Sequence, residues 1–251
     1  MKEKAPAKST GKTPGASTDP GVLAAASKAA ELVTDGARVG LGSGRAASAF
    51  IAALAGRARR GLNVSGVPTS EASERLARSL GIPLIEIDEE TLLDLTVDGA
   101  DEVSPNLDLV KGKGAAFVRE RIVAASSRRQ VILVTPEKVV PVLCAHDPFP
   151  VEVIPMGAGL ATRRLKALGL RPVLRQDPKA GRPFISVNGN LIFDCGVSRP
   201  LAEPQLARTL ETAVCRIPGV VDTGLFLGTA ERVLVGHPDG HVEVFKRSDL
   251  P

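Results

Sequence analysis

A chain of 251 residues that is 43% hydrophobic suits one large or two small globular domains with a proper core that folds unaided. The formal charge of +4 gathers near the start, where Lys2, Lys4, Lys8 and Lys12 face only Glu3; the near-neutral remainder, without Trp or Tyr for base stacking, excludes a nucleic-acid footprint. No apolar run approaches the roughly eighteen residues that cross a bilayer, and the lysine-dotted N-terminus lacks an apolar signal core, so neither membrane span nor secretory signal is expected and the chain is expected to be cytoplasmic.

Residues 1–18 are rich in Lys, Ala, Pro, Ser, Thr and Gly and are expected to form a disordered tail without chemistry. From there apolar helical stretches alternate with short β-branched runs. "VLAAASKAAELV" reads as a helix, "ARVGL" as a strand, "AASAFIAALAGRA" as a helix and "LNVSGV" as a strand. "SEASERLARSLG" is a helix with its glycine stop, "PLIEI" and "LLDLTV" are strands, "GAAFVRERIVAAS" is a helix and "QVILV" a strand. The alternation predicts an α/β fold, a mainly parallel sheet with helices on both faces.

After "HDPFP" the rhythm changes. "VEVIP" is a strand, "GLATRRLKALG" a helix, "PVLRQ" a strand, and "FISVNGNLIFDC" a hairpin whose Asn188-Gly189 pair favours a tight primed turn. "PQLARTLETAVCRI" and "VVDTGLFL" supply a helix and a strand, giving a β-α-β-β-α-β order in the ferredoxin-like α+β style. The final "RVLVGHPDGHVEVF" is a hairpin placed to rejoin the first sheet.

In open α/β sheets ligands sit beyond the carboxyl ends of the strands, which singles out "GSGRA", "DGADE" and "TPEK". The first belongs to "GLGSGRA", a glycine-rich strand-to-helix turn suited to an anion, with Ser43 and Arg45 as side-chain donors; a purely structural tight turn is the competing reading. The stretch roughly 20 positions on, "NVSGV", lacks the acidic residue of a dinucleotide site, and no Gly-Lys-Ser/Thr run makes a Walker loop.

Glu120 has Ala116, Phe117, Val123 and Ala124 at helical spacings of three and four, so its carboxylate leaves an apolar face, where desolvation raises its pKa toward that of a useful base. A structural ion pair with Lys111 or an arginine is the alternative. In "DGADE" Gly99 is expected to give the turn that bends Asp98 and Asp101 toward one pocket, where carboxylates bind sugar hydroxyls or shuttle protons between oxygens. Lys111, between an apolar run and glycines, is placed to stabilise a developing oxyanion. His237 and His241 flank a turn without a third metal ligand, "GRARRG" reads as a solvated helix end, and Cys144, Cys195 and Cys215, without a CxxC pair, read as small core residues rather than disulfide or zinc ligands.

From about residue 22 onward the chain resembles ribose-5-phosphate isomerase of the A type, through "VGLGSG", "VPTSEAS", "VDGADEV", "KGKGAAFVRE", "PVEVIPMG", "NGNLIFDC" and "IPGVVDTGLF". The resemblance implies a Rossmann-like catalytic domain over residues 19–145 plus 223–251 and a small α+β domain over 146–222. It further implies interconversion of ribose 5-phosphate and ribulose 5-phosphate without metal or organic cofactor, in a homodimer or homotetramer. By motif, Glu120 matches the base that moves a proton between C2 and C1 and Lys111 the group that stabilises the enediolate. Asp98 and Asp101 match the pair that binds hydroxyls and relays protons, Lys138 a phosphate-binding lysine, and Ser43, Gly44, Arg45 and Ala46 the phosphate cradle. Gly99, Ala100, Gly112, Lys113 and Gly114 complete the implied substrate contacts.

The cradle departs from the family's usual Gly-Thr-Gly-Ser-Thr: Arg45 and Ala46 replace two hydroxyl donors, and arginine is itself a strong phosphate ligand. Lys113 replaces a usual glycine, a strain if that position needs positive φ. Val22 sits near the register of an early family lysine. These departures leave two alternatives beside the isomerase: a related phosphosugar isomerase with shifted substrate, and a sugar-phosphate sensor without turnover.

Overall fold

The structure is a computed structural model that describes residues 17–178 and 180–249, so the tail expectation falls almost wholly outside it. Asp19 accepts N–H bonds from Gly21 and Val22 and, with Pro20 in the first turn, starts α1 (Pro20–Glu31). There follow β1 (Ala37–Leu41), α2 (Gly44–Ala58), β2 (Val64–Pro68), α3 (Glu71–Ser79), β3 (Leu95–Gly99), β4 (Glu102–Val103), β5 (Leu109–Val110), α4 (Phe117–Ala125) and β6 (Gln130–Val134). Next come β7 (Phe149–Val153), α5 (Ala158–Ala167), β8 (Arg171–Leu174), β9 (Leu191–Gly196), α6 (Pro204–Cys215), β10 (Val220–Thr223), β11 (Leu225–Phe226), β12 (Arg232–Gly236) and β13 (Val242–Lys246).

The main sheet has the order β13-β12-β6-β3-β1-β2 and is parallel except for β13. Its central strand β6 is buried along its whole length, as a strand covered on both faces must be. Val131 and Leu133 point to the side of α1 and α2, into a core with Phe50, Ile51 and Leu54. Ile132 and Val134 point the other way, toward Phe117, Leu109 and Phe226. That second face is covered by α4 and by a small antiparallel sheet of order β11-β5-β4, so helix covers only part of it.

The β-α-β-β-α-β order is realised as an antiparallel sheet of order β10-β7-β9-β8, with Ala161 and Leu165 of α5 and Ala207 and Val214 of α6 buried against Val151, Val153, Phe193 and Cys195. This is the ferredoxin-like arrangement expected from the sequence. The terminal hairpin does rejoin the main sheet, through β12 beside β6.

Several local expectations are corrected. "PLIEI" is no strand: it makes one bridge at Leu84 to Gly66, and Ile85 and Ile87 then turn in beside Val67, Leu93 and Val123. "VVDTGLFL" splits at Gly224, whose N–H donates to the Pro150 carbonyl and whose carbonyl accepts from Lys111 N–H, and the two halves join different sheets; a Cβ there would overlap the Lys111 carbonyl and the Pro150 ring. The turn at Asn188-Gly189 is not a two-residue primed turn. Only Gly189 has positive φ, at 81°, and Gly189 N–H donates to the Ser186 carbonyl while Ser186 N–H donates to that of Asn190, a longer loop closed by a left-handed glycine. Arg57 of "GRARRG" is half-buried and donates to the carbonyls of Ala30 and Val33, so it caps the end of α1 instead of facing water. Cys144 and Cys195 are buried as expected; Cys215 is exposed. No helix among the described residues is long and apolar enough to cross a membrane.

Candidate active site

The three strand ends singled out in the sequence converge on one cavity of about 380 Å³. Its wall contains every predicted site residue: Ser43, Gly44, Arg45 and Ala46 from the start of α2, Asp98, Gly99, Ala100 and Asp101 from the end of β3, Lys111, Gly112, Lys113 and Gly114 from the loop after β5, Glu120 from α4, and Lys138. A cavity of this size suits a small ligand.

Asp98, Lys111 and Glu120 are 1%, 3% and 5% exposed. Lys111 Nζ donates to Asp98 Oδ2 at 3.0 Å and to the Gly99 carbonyl at 2.6 Å. It also stands 3.1 Å from Glu120 Oε2, yet that oxygen has no aligned hydrogen bond from any described residue. Asp98 Oδ1 accepts from the N–H groups of Ser43 and Gly99 at 3.0 and 2.8 Å, so both Asp98 oxygens are satisfied within the chain. One ammonium therefore serves two buried carboxylates, and the cluster cannot be neutral while both are ionised.

Burial raises the Glu120 pKa most, the Asp98 charge adds to it and Lys111 opposes both, leaving the carboxyl pushed up to about 7. For Lys111 burial works against the charge, but the attraction of Asp98 and Glu120 outweighs it and raises its pKa above the ordinary lysine value. Glu120 is thus the ion-pair partner of Lys111 that the sequence allowed, and burial is what lifts its carboxyl above the usual range.

Asp101 is only half-buried; its Oδ2 accepts from Lys113 N–H at 3.0 Å. Lys113 reaches away to Asp147, 3.2 Å distant. Its φ is not positive; the left-handed positions in this loop are Gly112, at 106°, and Ala115, at 63°, so Lys113 brings no backbone strain. Gly99 likewise is not in the left-handed region, and Asp98 reaches the cavity because it ends a strand beside β1, not through a glycine turn. The glycine that matters for Asp98 is Gly42: a Cβ there would overlap the Asp98 carboxylate.

The helix α2 begins at Gly44, whose φ is 81°, and its N-cap residue Ser43 makes no side-chain cap bond. Ser43 Oγ is instead 2.7 Å from Thr69 Oγ1, and its N–H is taken by Asp98. The first-turn N–H groups beyond Ser43 are left without a side-chain acceptor at the positive end of the helix dipole, beside the cavity. Arg45 and Lys138 have no side-chain hydrogen bond or ion pair among the described residues. Thr135, the first residue of "TPEK", and Val22 lie on the wall as well, and sequence reasoning missed Thr69, which fixes Ser43, and Leu133 and Val134, which complete the wall. Those three carry no local signal.

Fold and site together define a class: α/β proteins that carry a buried cluster of carboxylates and a lysine at the carboxyl ends of a parallel sheet, beside a helix start suited to an anion. The family profile described as ribose 5-phosphate isomerase A (phosphoriboisomerase A) matches residues 65–240. The ribose-5-phosphate isomerase A of Roseiflexus sp. (strain RS-1) is 47% identical over 222 residues, 88% of this chain and 93% of that protein. Among solved structures, ribose 5-phosphate isomerase A from Methanocaldococcus jannaschii matches with TM-score 0.83 and 37% identity over 92% of this chain and 100% of that one. A D-ribose-5-phosphate isomerase in complex with phospho-erythronic acid matches with TM-score 0.84 and 34% identity over 90% of this chain and 97% of that one. The chain belongs to the ribose 5-phosphate isomerase A family.

Proposed function

We propose that the chain interconverts D-ribose 5-phosphate and D-ribulose 5-phosphate through an enediolate, with Glu120 as the base. The observation that carries this reading is the Glu120 Oε2 atom, buried on the cavity wall 3.1 Å from an ammonium and without an aligned hydrogen bond among the described residues. A carboxylate held in this way is ready to take a proton from carbon. In the open-chain aldose it removes the C2 proton; the C–H electrons form the C1–C2 double bond and the carbonyl electrons pass to O1. Lys111 stabilises that developing negative charge from a buried, fixed position. A proton moves from O2 to O1, the C2 carbonyl forms, and Glu120 returns its proton to C1. No atom is gained or lost.

Asp98 is satisfied inside the chain, so we assign it to holding Lys111. Asp101, half-buried and bonded through one oxygen only, is assigned to the sugar hydroxyls, to ring opening and to the transfer between O2 and O1. The first-turn amides of α2 with Arg45 and Lys138 are assigned to the phosphate, on the support of their unpartnered donors. The bound phospho-erythronic acid of the related isomerase, a phosphorylated sugar acid, fits the same division into an anion end and an acid/base end. A division into domains at residues 146–222, assembly as a homodimer or homotetramer, and a cytoplasmic location belong to the same proposal; limited proteolysis, sedimentation and fractionation test them.

The decisive experiment measures ribulose 5-phosphate formation by the purified chain with a metal chelator present, for the wild type and for Glu120→Gln. Turnover that falls by about 10²–10⁴-fold in the variant, with substrate still protecting it against heat, supports the base. Undiminished turnover by Glu120→Gln removes the assignment, and heat protection without turnover by the wild type points to a sensor.

A further inference from the structure

Outside the carboxylate and lysine cluster, one charged side chain reaches the cavity loop from the ferredoxin-like sheet. Arg175, just past β8, is fixed by its own main chain, donating N–H to the Ile192 carbonyl and accepting from Phe184. Its guanidinium is held by Asp194 of β9, with Nε 2.9 Å from Oδ2 and Nη2 2.5 Å from Oδ1. The remaining nitrogen, Nη1, donates to the carbonyls of Gly112 at 3.0 Å and Lys113 at 3.3 Å.

We propose that Arg175 is a positioning residue for the isomerisation, acting on Asp101 through the Gly112–Lys113 peptide. That peptide is gripped at both ends: its carbonyl oxygen accepts from Arg175, and its N–H donates to Asp101 Oδ2 at 3.0 Å. The peptide unit is planar and trans, so fixing the carbonyl fixes the direction of the N–H. A cation on the oxygen also polarises the amide so that its N–H becomes a better donor to the carboxylate. Gly112 stands at a φ of 106°, where a Cβ would crowd Pro150 and Phe117, so the loop takes this course only with glycine, a residue that leaves the backbone free to move unless its carbonyl is held. On the other side of Gly112, Lys111 N–H donates to the Gly224 carbonyl at 2.8 Å, so the segment carrying the ammonium is held from two directions. A bidentate fork with one nitrogen to spare is a property of arginine that lysine lacks.

This inference rests on the isomerase reading, and its test separates the two. Arg175→Ala, Asp101→Asn and the double variant are compared with the wild type for kcat, KM and thermal midpoint. Arg175→Ala is expected to lower kcat by about 10- to 100-fold and to raise KM by clearly less than that, because Asp101 also meets the sugar hydroxyls whereas the phosphate donors, at the start of α2 and at Lys138, make no bond to Arg175. Millimolar guanidinium is expected to restore part of that kcat, and Arg175→Lys to keep part of it. Added to Asp101→Asn, Arg175→Ala is expected to cost less than about threefold more, because the two act in one chain of bonds.

Fully additive losses, wild-type kcat in Arg175→Ala, or a loss that follows the folded fraction and ignores guanidinium would each overturn the positioning role while leaving the isomerase standing. A folded wild type without turnover would overturn the isomerase reading itself, and this inference with it.

Discussion

Lys111 Nζ lies 3.1 Å from Glu120 Oε2 without forming an aligned hydrogen bond to it. Two of the three ammonium hydrogens go to Asp98 and the Gly99 carbonyl, so Glu120 shares the charge of a lysine that is mainly held by other groups. The arrangement fits the role of base proposed for Glu120: the carboxylate is electrostatically steadied and faces the cavity.

The first expected consequence is a pH dependence. With Glu120 pushed up to about 7, kcat/KM should fall tenfold per unit below that pH and level off above it. Stability changes in the same window. Between 4.5, the ordinary value, and about 7 the folded chain keeps a proton that the unfolded chain has released, so the unfolding free energy falls as pH rises, by up to about 3 kcal/mol. Urea titrations of the wild type and Glu120→Gln at pH 5 and 8 should differ in this slope; parallel curves would contradict the raised pKa.

Replacing Lys111 by Met removes the counter-charge of two buried carboxylates. A loss of about 3–5 kcal/mol is expected at pH 8, and a smaller one at pH 5, where Glu120 is protonated. Denaturant midpoints at the two pH values check this, and an equal loss at both would show that the carboxylates escape their repulsion by rearranging.

Arg45 stands exposed on the cavity wall without a side-chain partner among the described residues. Its replacement by Ala should raise KM for ribose 5-phosphate by about 10- to 100-fold, the worth of a hydrogen bond to a charged group, and leave kcat within about threefold. An unchanged KM would take Arg45 out of the phosphate site.

Gly42 and Gly56 offer a matched pair. Gly42→Ala forces a methyl against the Asp98 carboxylate and should cost about 1–3 kcal/mol and most of the activity. Gly56→Ala, in α2 with no neighbour closer than 3.8 Å, should be stabilising by about 0.5–1 kcal/mol with full activity. Thermal midpoints that move together would mean that the space around Asp98 is not limiting.

What the sequence determined by itself was periodicity and local chemistry. The alternation of 3.6 and 2 periods located the helices and most strands, and the order of elements after residue 146 already carried the ferredoxin-like topology. The position of Glu120 on the apolar face of α4 announced a desolvated carboxylate, because side chains three and four apart on a helix share one face whatever lies opposite.

Tertiary structure alone decided which groups meet. Whether "PLIEI" forms a strand depends on how far Gly66 can pair with it, and "VVDTGLFL" becomes two strands because one half finds β7 and the other β5. The requirement for Gly42 came from a carboxylate 56 positions away, and the grip of Arg175 on the loop after β5 spans a sequence separation of 63. The physical reason is the same in each case: a propensity acts within a few residues, whereas a hydrogen bond or a steric overlap acts at the distance of closest approach, which only the folded chain defines.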